Sequence, residues 1–155
     1  MHGWQHTSVN LSALLPSTGA LLWLGHPDTA LAFSAAFLFG TLLVTPDLDL
    51  HLNDARRRWG PLRFIWAPYA ALSRHRGTSH TYLSGPLIRL AYLALWALPV
   101  VALMLSLQLD GFPPVIPLTW VITALLGYFT SQWLHLLCDG ILPFQSRNPK
   151  RRRRS

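Results

Sequence analysis

The sequence of 155 residues contains no glutamate, a single cysteine and few charged side chains. Because glutamate is absent, every acidic role must fall to one of the six aspartates. The lone Cys138 excludes an intramolecular disulfide, so nothing indicates an oxidising compartment. Charged residues make up 12% of the chain against about 25% in a typical soluble domain, while apolar residues reach 51%. This imbalance predicts an integral membrane protein of the all-α class.

Four apolar stretches predict a helical bundle with about four transmembrane helices. A spanning helix needs roughly 20 mostly apolar residues. The second stretch ends before Pro46, since proline disfavours helix in the residue that precedes it. The first stretch is short and is interrupted by Pro16, so whether it crosses the bilayer fully stays open. The four stretches are residues 9–24, 29–44, 88–109 and 115–138.

The basic residues all fall on one side of this predicted bundle. The connections 25–28 and 110–114 are short and contain no lysine or arginine, and they pair the helices as two hairpins. The N-terminus, the central segment 45–87 and the tail 147–155 then share the other side, with all thirteen Lys and Arg residues in or next to it. By the positive-inside rule that side is cytoplasmic, and both termini lie there. No basic region precedes the first apolar stretch, so we predict no signal peptide.

Two arginine-rich regions predict contact with membrane lipids. Residues 53–71 interleave arginine with tryptophan and tyrosine, a composition typical of a segment that lies in the headgroup layer. An arginine-rich loop needed only for orientation is the alternative, and it stays open. We expect the basic tail to bind anionic headgroups, at about 1 kcal/mol per residue, rather than nucleic acid. The sequence identifies no protein partner.

Most histidines and aspartates fall into four short polar motifs, each beside an apolar stretch. Imidazole and carboxylate together are the ligands that a borderline or hard divalent metal prefers. Because the motifs share one predicted side of the membrane, they predict a metal site at the mouth of the bundle. They are His6-Thr7, Thr45-Pro46-Asp47-Leu48-Asp49, His75-Arg76-Gly77-Thr78-Ser79-His80 and His135-Leu136-Leu137-Cys138-Asp139.

The last motif has a spacing suited to binding one ion with two groups. His135 and Asp139 are four residues apart, which places both on one face of a helix about one turn apart. The alternative is a histidine and an aspartate that cap or solvate a helix end. Ser131 and Gln132 on the preceding turn make this helix end polar, which favours a wet cavity.

The two middle motifs need turns to bring their ligands together. Asp47 and Asp49 share no helix face, but both can converge on one centre in a turn or an extended stretch. Two carboxylates this close repel each other unless a cation or an arginine lies between them, and solvated caps are the alternative. His75 and His80 diverge by roughly 140° on a helix, so they need the turn that Gly77 permits.

In this order the motifs resemble a family of small metal-binding membrane proteins of otherwise unknown function. The sequence is also similar to inner-membrane predicted metal-dependent hydrolases that are induced in the DNA-damage response. Both patterns run from His-Thr or Thr-His through Pro-Asp-x-Asp and His-Arg-x-x-x-His to His-x-x-x-Asp. Trp59-Gly60-Pro61-Leu62-Arg63 and Ile65-Trp66-x-Pro68-Tyr69 resemble the first family in particular. The resemblance covers most of the chain and implies a metal-binding protein of the bacterial inner membrane.

More distantly, the order of the motifs resembles the helical zinc phospholipase C and single-strand nuclease superfamily. This chain has no His, Asp or Glu after Asp139, so it lacks the later ligands of a three-zinc site. A centre with one or two ions is the most that it can hold.

Two functions of different classes fit these observations. The first is a membrane-embedded metal-dependent hydrolase, in which the metal activates water and polarises the scissile group of an anionic, lipid-like substrate at the cytoplasmic face. In the second, the metal is structural and joins the two hairpins, and a closed coordination sphere would distinguish it. We expect zinc, with manganese or iron as alternatives. A metal transporter fits less well, because the candidate ligands lie at one membrane face.

The hydrolase hypothesis assigns a role to each candidate residue. Asp49 or Asp47 is expected to bridge ions or to act as a base, so that Asp49 counts as catalytic. Arg76, with Arg74 beside it, is expected to bind the anionic group and to stabilise developing negative charge. The predicted ligands are His6, Asp47, Asp49, His75, His80, His135 and Asp139.

The remaining histidines are predicted not to bind the metal. They are His2, His26 and His51, and His26 falls on the opposite side of the predicted membrane. The domain prediction is a single transmembrane metal-binding domain over residues 1–146, followed by a basic cytoplasmic tail over residues 147–155.

Overall fold

The computed structural model describes residues 3–50, 53–73, 78–107 and 116–143. These residues form α-helices and short 3₁₀ helices, so the predicted all-α class is confirmed. The α-helices are α1 (Gly3–Trp23), α2 (Pro27–Leu42), α3 (Asp54–Arg58), α4 (Trp66–Leu72), α5 (Ser84–Ser106) and α6 (Leu118–Cys138). The 3₁₀ helices are Pro46–Asp49, Gly60–Ile65 and Thr78–His80.

Three segments of the described chain are long and apolar enough to cross a membrane. They are Pro27–Asp49, Ser84–Ser106 and Leu118–Cys138. They correspond to the last three of the four predicted stretches. The first predicted stretch also forms a long helix, α1, but it begins at Gly3 instead of residue 9 and is not among the three.

Polar side chains of α1 are used in its contact with α2. Asn10 Nδ2 donates to Thr41 Oγ1 at 3.1 Å, near the end of α2. Further from the end of α2, the hydroxyl groups of Thr18 and Ser34 form a hydrogen bond of 2.7 Å. Since the start of α1 meets the end of α2, the two helices run antiparallel. α1 is more polar than the three apolar segments, and some of its polar side chains form hydrogen bonds with α2.

A glycine turn closes the α1–α2 hairpin. Gly25 adopts a φ of 78°, its N–H donates to Leu22 O, and the N–H of His26 donates to Leu21 O. These paired bonds satisfy the last carbonyls of α1, in the arrangement that glycine favours at a helix end. Pro27 then starts α2 at a position where the missing N–H needs no partner. The short connection predicted from the sequence is therefore a tight turn.

The backbones of α2 and α6 approach each other closely. A Cβ atom on Gly127 would lie 2.3 Å from Phe33 O, and one on Gly40 would lie 2.2 Å from Ser131 Oγ. At Gly127 only glycine fits unless the helices separate, because the clash is with backbone, whereas at Gly40 the Ser131 and Gln132 side chains would have to move. Small residues serve this purpose between membrane helices. The contact holds the ends of α2 and α6 side by side.

The segment between α2 and α5 packs on the end of α2. Arg58 Nη1 donates to Leu42 O at 3.1 Å, and Trp59 Nε1 donates to Leu43 O at 2.9 Å. The last carbonyls of a helix have no partner within the helix, so these bonds satisfy them. The Trp66 side chain is fully buried in a cluster with Val44, Leu48, Ala55, Tyr69 and Tyr128. Part of the predicted headgroup segment is thus core of the protein.

We expect Gly127→Ala to lower the free energy of unfolding by about 1–3 kcal/mol, the usual cost of overpacking. The added methyl group would meet the Phe33 carbonyl and push α2 from α6. Gly19→Ala is the matched control, because a Cβ atom at that helical position meets nothing within 4 Å. Thermal unfolding in detergent measures both. Equal melting temperatures for the two variants would contradict the close contact.

Candidate metal centre

Five of the predicted ligand residues lie together at one end of the bundle. His6 lies near the start of α1, His135 lies in the last turn of α6, and Asp139 caps α6. Asp47 belongs to the 3₁₀ helix that follows α2, and His80 ends the 3₁₀ helix that precedes α5. They meet because α2 and α6 run towards this end while α1 and α5 run away from it.

A second glycine turn fixes the position of Asp139. Gly140 has a φ of 71° and its N–H donates to Leu137 O, while the N–H of Ile141 donates to Leu136 O. These bonds end α6 at Asp139, as at the end of α1. The carboxylate therefore stays one helical turn from His135.

The Asp139 carboxylate lies between three histidines. Its Oδ1 is 3.2 Å from His6 Nε2, and its Oδ2 is 3.6 Å from His135 Nε2 and 3.9 Å from His80 Nε2. The rings of His6 and His135 are stacked with centroids 4.0 Å apart and an interplanar angle of 13°. The three imidazoles are buried and the carboxylate is half-buried, so the cluster lies just inside the protein surface.

Asp47 joins two of the same histidines from the other side. Its Oδ1 lies 3.5 Å from His80 Nε2, and its Oδ2 lies 3.3 Å from His135 Nε2. Two groups of three result, each with ligand atoms within 4.8 Å of one another. One consists of His6, His135 and Asp139, and the other of Asp47, His80 and Asp139.

These distances fit metal ligands better than hydrogen bonds. Two ligands bound to one tetrahedral ion at about 2.0–2.2 Å lie about 3.3–3.6 Å apart, whereas N–H···O hydrogen bonds are about 2.7–3.2 Å long. Four of the five N···O distances are 3.3 Å or longer. Among the residues that the structure describes, the buried Nε2 of His135 has no hydrogen-bond partner, although it faces two carboxylates. A cation between these groups would use that nitrogen.

A hydrogen-bond chain behind His80 sets the direction of its Nε2 atom. Ser79 Oγ donates to Asp49 Oδ2 at 2.8 Å and lies 3.1 Å from His80 Nδ1. Because the hydroxyl proton is given to Asp49, the serine oxygen accepts from an Nδ1–H group. His80 Nε2 then carries the lone pair and faces Asp47 and Asp139. Outer partners of this kind fix the tautomer of metal-binding histidines.

Two further bonds hold the segment after His80 against the end of α6. The Tyr82 hydroxyl donates to Ile141 O at 2.6 Å, and Trp133 Nε1 donates to Tyr82 O at 2.8 Å. Partial burial raises the pKa of the Tyr82 hydroxyl, so it stays a neutral donor near pH 7. These bonds keep His80 opposite His135 and Asp139.

A layer of buried polar side chains lies beneath the metal ligands. Arg89, in α5, is fully buried and donates to Ser79 O at 2.9 Å and to Gln132 Oε1 at 2.8 Å. Gln132 Nε2 donates in turn to Gly40 O of α2 at 3.1 Å. Asn10 Nδ2 donates to Ser131 O at 3.0 Å. This layer connects α1, α2, α5 and α6 one turn below the cluster.

The structure brings some of the predicted site residues together and places others elsewhere. The structure places His6, Asp47, His80, His135 and Asp139 together. It places Asp49 behind His80, bound to Ser79, and outside both groups of three, so a direct catalytic or metal-binding role for Asp49 stays a prediction. His26, predicted as a non-ligand, precedes α2 at the opposite end of the hairpin. His2, His51, Arg74, His75 and Arg76 lie outside the described residues.

Two residues of the site were not singled out from the sequence. Ser79 was only part of a motif, and Arg89 was counted only as a basic residue. A signal for Arg89 existed, because an arginine inside an apolar stretch of spanning length is usually functional or paired.

Comparison with known proteins agrees with a metal site. The family described as “Uncharacterized metal-binding protein (DUF2227)” matches residues 1–148. An uncharacterized protein of Aquifex aeolicus (strain VF5) is 42% identical over 66 residues, which are 43% of this chain and 47% of that protein. The similarity thus spans about half the length of this relative. No solved structure matches the chain.

We expect His135→Ala and Asp139→Ala each to weaken metal binding at least 10–100-fold, the range typical even of outer-shell changes. Each removes a ligand atom from the cluster, whereas the control His26→Ala leaves it intact. Elemental analysis and titration of the purified variants measure the affinity. Equal metal content in all three variants would refute the site.

Proposed function

We propose, on the premise that this chain belongs to the family described as “Uncharacterized metal-binding protein (DUF2227)”, that it is a membrane-embedded metal-dependent hydrolase. Its substrate would be an anionic, lipid-like molecule that reacts at the cytoplasmic face. The observation that carries the proposal is the convergence of three imidazoles and two carboxylates, one of whose nitrogens, His135 Nε2, has no hydrogen-bond partner among the described residues.

The donor set supports zinc, with manganese or iron as alternatives. Mixed imidazole and carboxylate ligands suit these ions, and there is no second thiol to pair with Cys138. Divalent metal bound among His6, His135, Asp139, Asp47 and His80 would supply Lewis-acid activation of water and of the scissile group.

The proposal assigns a separate role to each of the other residues around the site. Asp47 and Asp139 would bind the cation, and both are partly exposed, so a small molecule can reach them. Ser79 and Asp49 hold His80 in the tautomer that the site needs. Arg76 would bind the anionic group of the substrate and stabilise charge that develops during hydrolysis.

Four spans with both termini in the cytoplasm complete the proposal. α1 runs antiparallel to α2 over most of its length, which supports α1 as a fourth span beside the three apolar segments. The basic tail and the exposed arginines of α3 would lie at the same face as the site, where they would contact anionic headgroups.

A structural metal is the second candidate function. Its support is that the five ligand residues come from four separate segments, so a bound ion would join α1, the end of α2, the start of α5 and α6. The two functions differ in the coordination sphere, which must keep an open position for catalysis.

We expect labelling to place the termini on one side of the membrane. Single cysteines introduced by His2→Cys and Ser155→Cys, in a Cys138→Ser background, should react with an impermeant reagent from the cytoplasm. Asp28→Cys, in the first turn of α2, should react from the other side. Labelling of His2→Cys and Asp28→Cys from the same side would mean that α1 does not span.

We expect Arg76→Ala to keep its metal and to lose about 10²–10³-fold in turnover, as when one group that stabilises transition-state charge is removed. Arg57→Ala, an exposed arginine of α3, is the matched control and should retain activity. Turnover of phosphoesters, lipids and amides in micelles is measured beside metal content. If no substrate of these classes is turned over, or if the coordination sphere is full of protein ligands, the structural function replaces the hydrolase.

A further inference from the structure

The number of ligand residues at the centre is larger than one tetrahedral ion can use. Five groups reach the cluster among the described residues: His6, His80, His135, Asp47 and Asp139. Zinc in proteins takes about four ligands in a closed structural site, and about three protein ligands plus an open position in a catalytic one. A single ion would therefore be closed by protein and still leave one group unused.

The two carboxylates divide their oxygens between different histidines. Asp139 directs Oδ1 to His6 at 3.2 Å, while Oδ2 lies 3.6 Å from His135 and 3.9 Å from His80, so this carboxylate reaches histidines of both groups of three. Asp47 directs Oδ1 to His80 at 3.5 Å and Oδ2 to His135 at 3.3 Å. A carboxylate that binds one ion can do so with one oxygen. A carboxylate that bridges two ions needs each oxygen to lie near the other ligands of a different ion.

We propose that the centre binds two divalent cations, with Asp139 bridging between them. One ion would take His6, His135 and Asp139, and the other would take Asp47, His80 and Asp139. Each ion would have three protein ligands and would therefore keep a position for water or substrate. Asp47 Oδ2 adds a second link between the two sites through its approach to His135.

The elements that carry the two sites differ, which makes the proposal separable by mutation. His6 belongs to α1 and touches only the first site, whereas His80 belongs to the segment before α5 and to the second site. Asp139 belongs to both. Two metal ions about 3.5–4 Å apart are a known arrangement for hydrolysis, so the inference deepens the proposed hydrolase and rests on its metal centre.

The test is a metal titration of the full chain in detergent, after chelation and removal of any tag. The wild type should bind two equivalents of Zn²⁺ by calorimetry and by elemental analysis after desalting. His6→Ala and His80→Ala should each keep about one equivalent, Asp139→Ala should keep none, and His26→Ala should keep two. Circular dichroism shows whether each variant retains its helices.

Manganese gives a second readout that does not depend on stoichiometry. With two equivalents of Mn²⁺ the wild type should show the exchange-coupled electron paramagnetic resonance signal of a bridged pair. His6→Ala and His80→Ala should show only isolated Mn²⁺. Because one site survives in each variant, loss of coupling with helices intact separates a lost bridge from a lost fold.

Saturation of the wild type at one equivalent would overturn the two-ion inference and leave a one-ion hydrolase possible. Complete loss of metal in both His6→Ala and His80→Ala, with helices intact, would show a single shared site and would also overturn it. Two bound ions without any hydrolysis would instead contradict the proposed function and leave this inference standing.

Discussion

The close approach of α2 and α6 determines where the ligands of the centre lie. A Cβ atom at Gly127 would collide with the Phe33 carbonyl, and one at Gly40 would meet the Ser131 hydroxyl, so glycine at both positions allows the two backbones to lie close together. From this contact α2 leads to the 3₁₀ helix of Asp47, and α6 continues for about three turns to Asp139. A shift of one helix along the other would move Asp47 away from His135. The distances between them thus depend on a contact that lies deeper in the bundle.

The buried polar layer beneath the ligands stabilises the fold only if its polar groups have hydrogen-bond partners, because a buried polar group without a partner costs free energy. Arg89 forms no ion pair with any residue that the structure describes, and its Nε has no partner there. A buried guanidinium without a carboxylate persists only where its hydrogen bonds are well made, and each bond to a charged group contributes about 1.5–3 kcal/mol. Its two acceptors are the carbonyl of Ser79 and the amide of Gln132. Arg89 therefore ties the His80 segment to α6, although α5 is otherwise hardly buried.

Much of the architecture could be predicted from the order of apolar stretches and polar motifs in the sequence. The long helices coincide with the predicted stretches to within a few residues, and the short first connection is a glycine turn. The start of α1 was missed by six residues, because His6, Thr7 and Ser8 look like a polar terminus in a sequence. In the structure Thr7 and Ser8 donate to backbone carbonyls four residues earlier, which lets hydroxyl residues continue the helix.

The directions of side chains in the turns could not be predicted from the sequence. Asp47 and Asp49 were predicted to converge on one centre; the 3₁₀ helix directs Asp47 to the histidines and places Asp49 beside Ser79, and a direct role of Asp49 stays a prediction. Their spacing alone fits either outcome, because the backbone of a four-residue turn is decided by its tertiary contacts. Asn53 Nδ2, for instance, donates to Asp47 O at 2.7 Å and to Leu50 O at 2.8 Å, and this shapes the turn from outside.

The position of Asp139 at the end of α6 has an electrostatic consequence for the helix itself. The C-terminal end of an α-helix carries a partial negative charge of about half an elementary charge, so a carboxylate there is repelled by its own helix. Such contacts cost about 0.3–1 kcal/mol when exposed and more when partly buried. A cation beside Asp139 reverses the sign of this interaction and attracts the same helix end. The last turn of α6 is therefore coupled to the ion, and it should open more readily in amide hydrogen exchange once the metal is withdrawn.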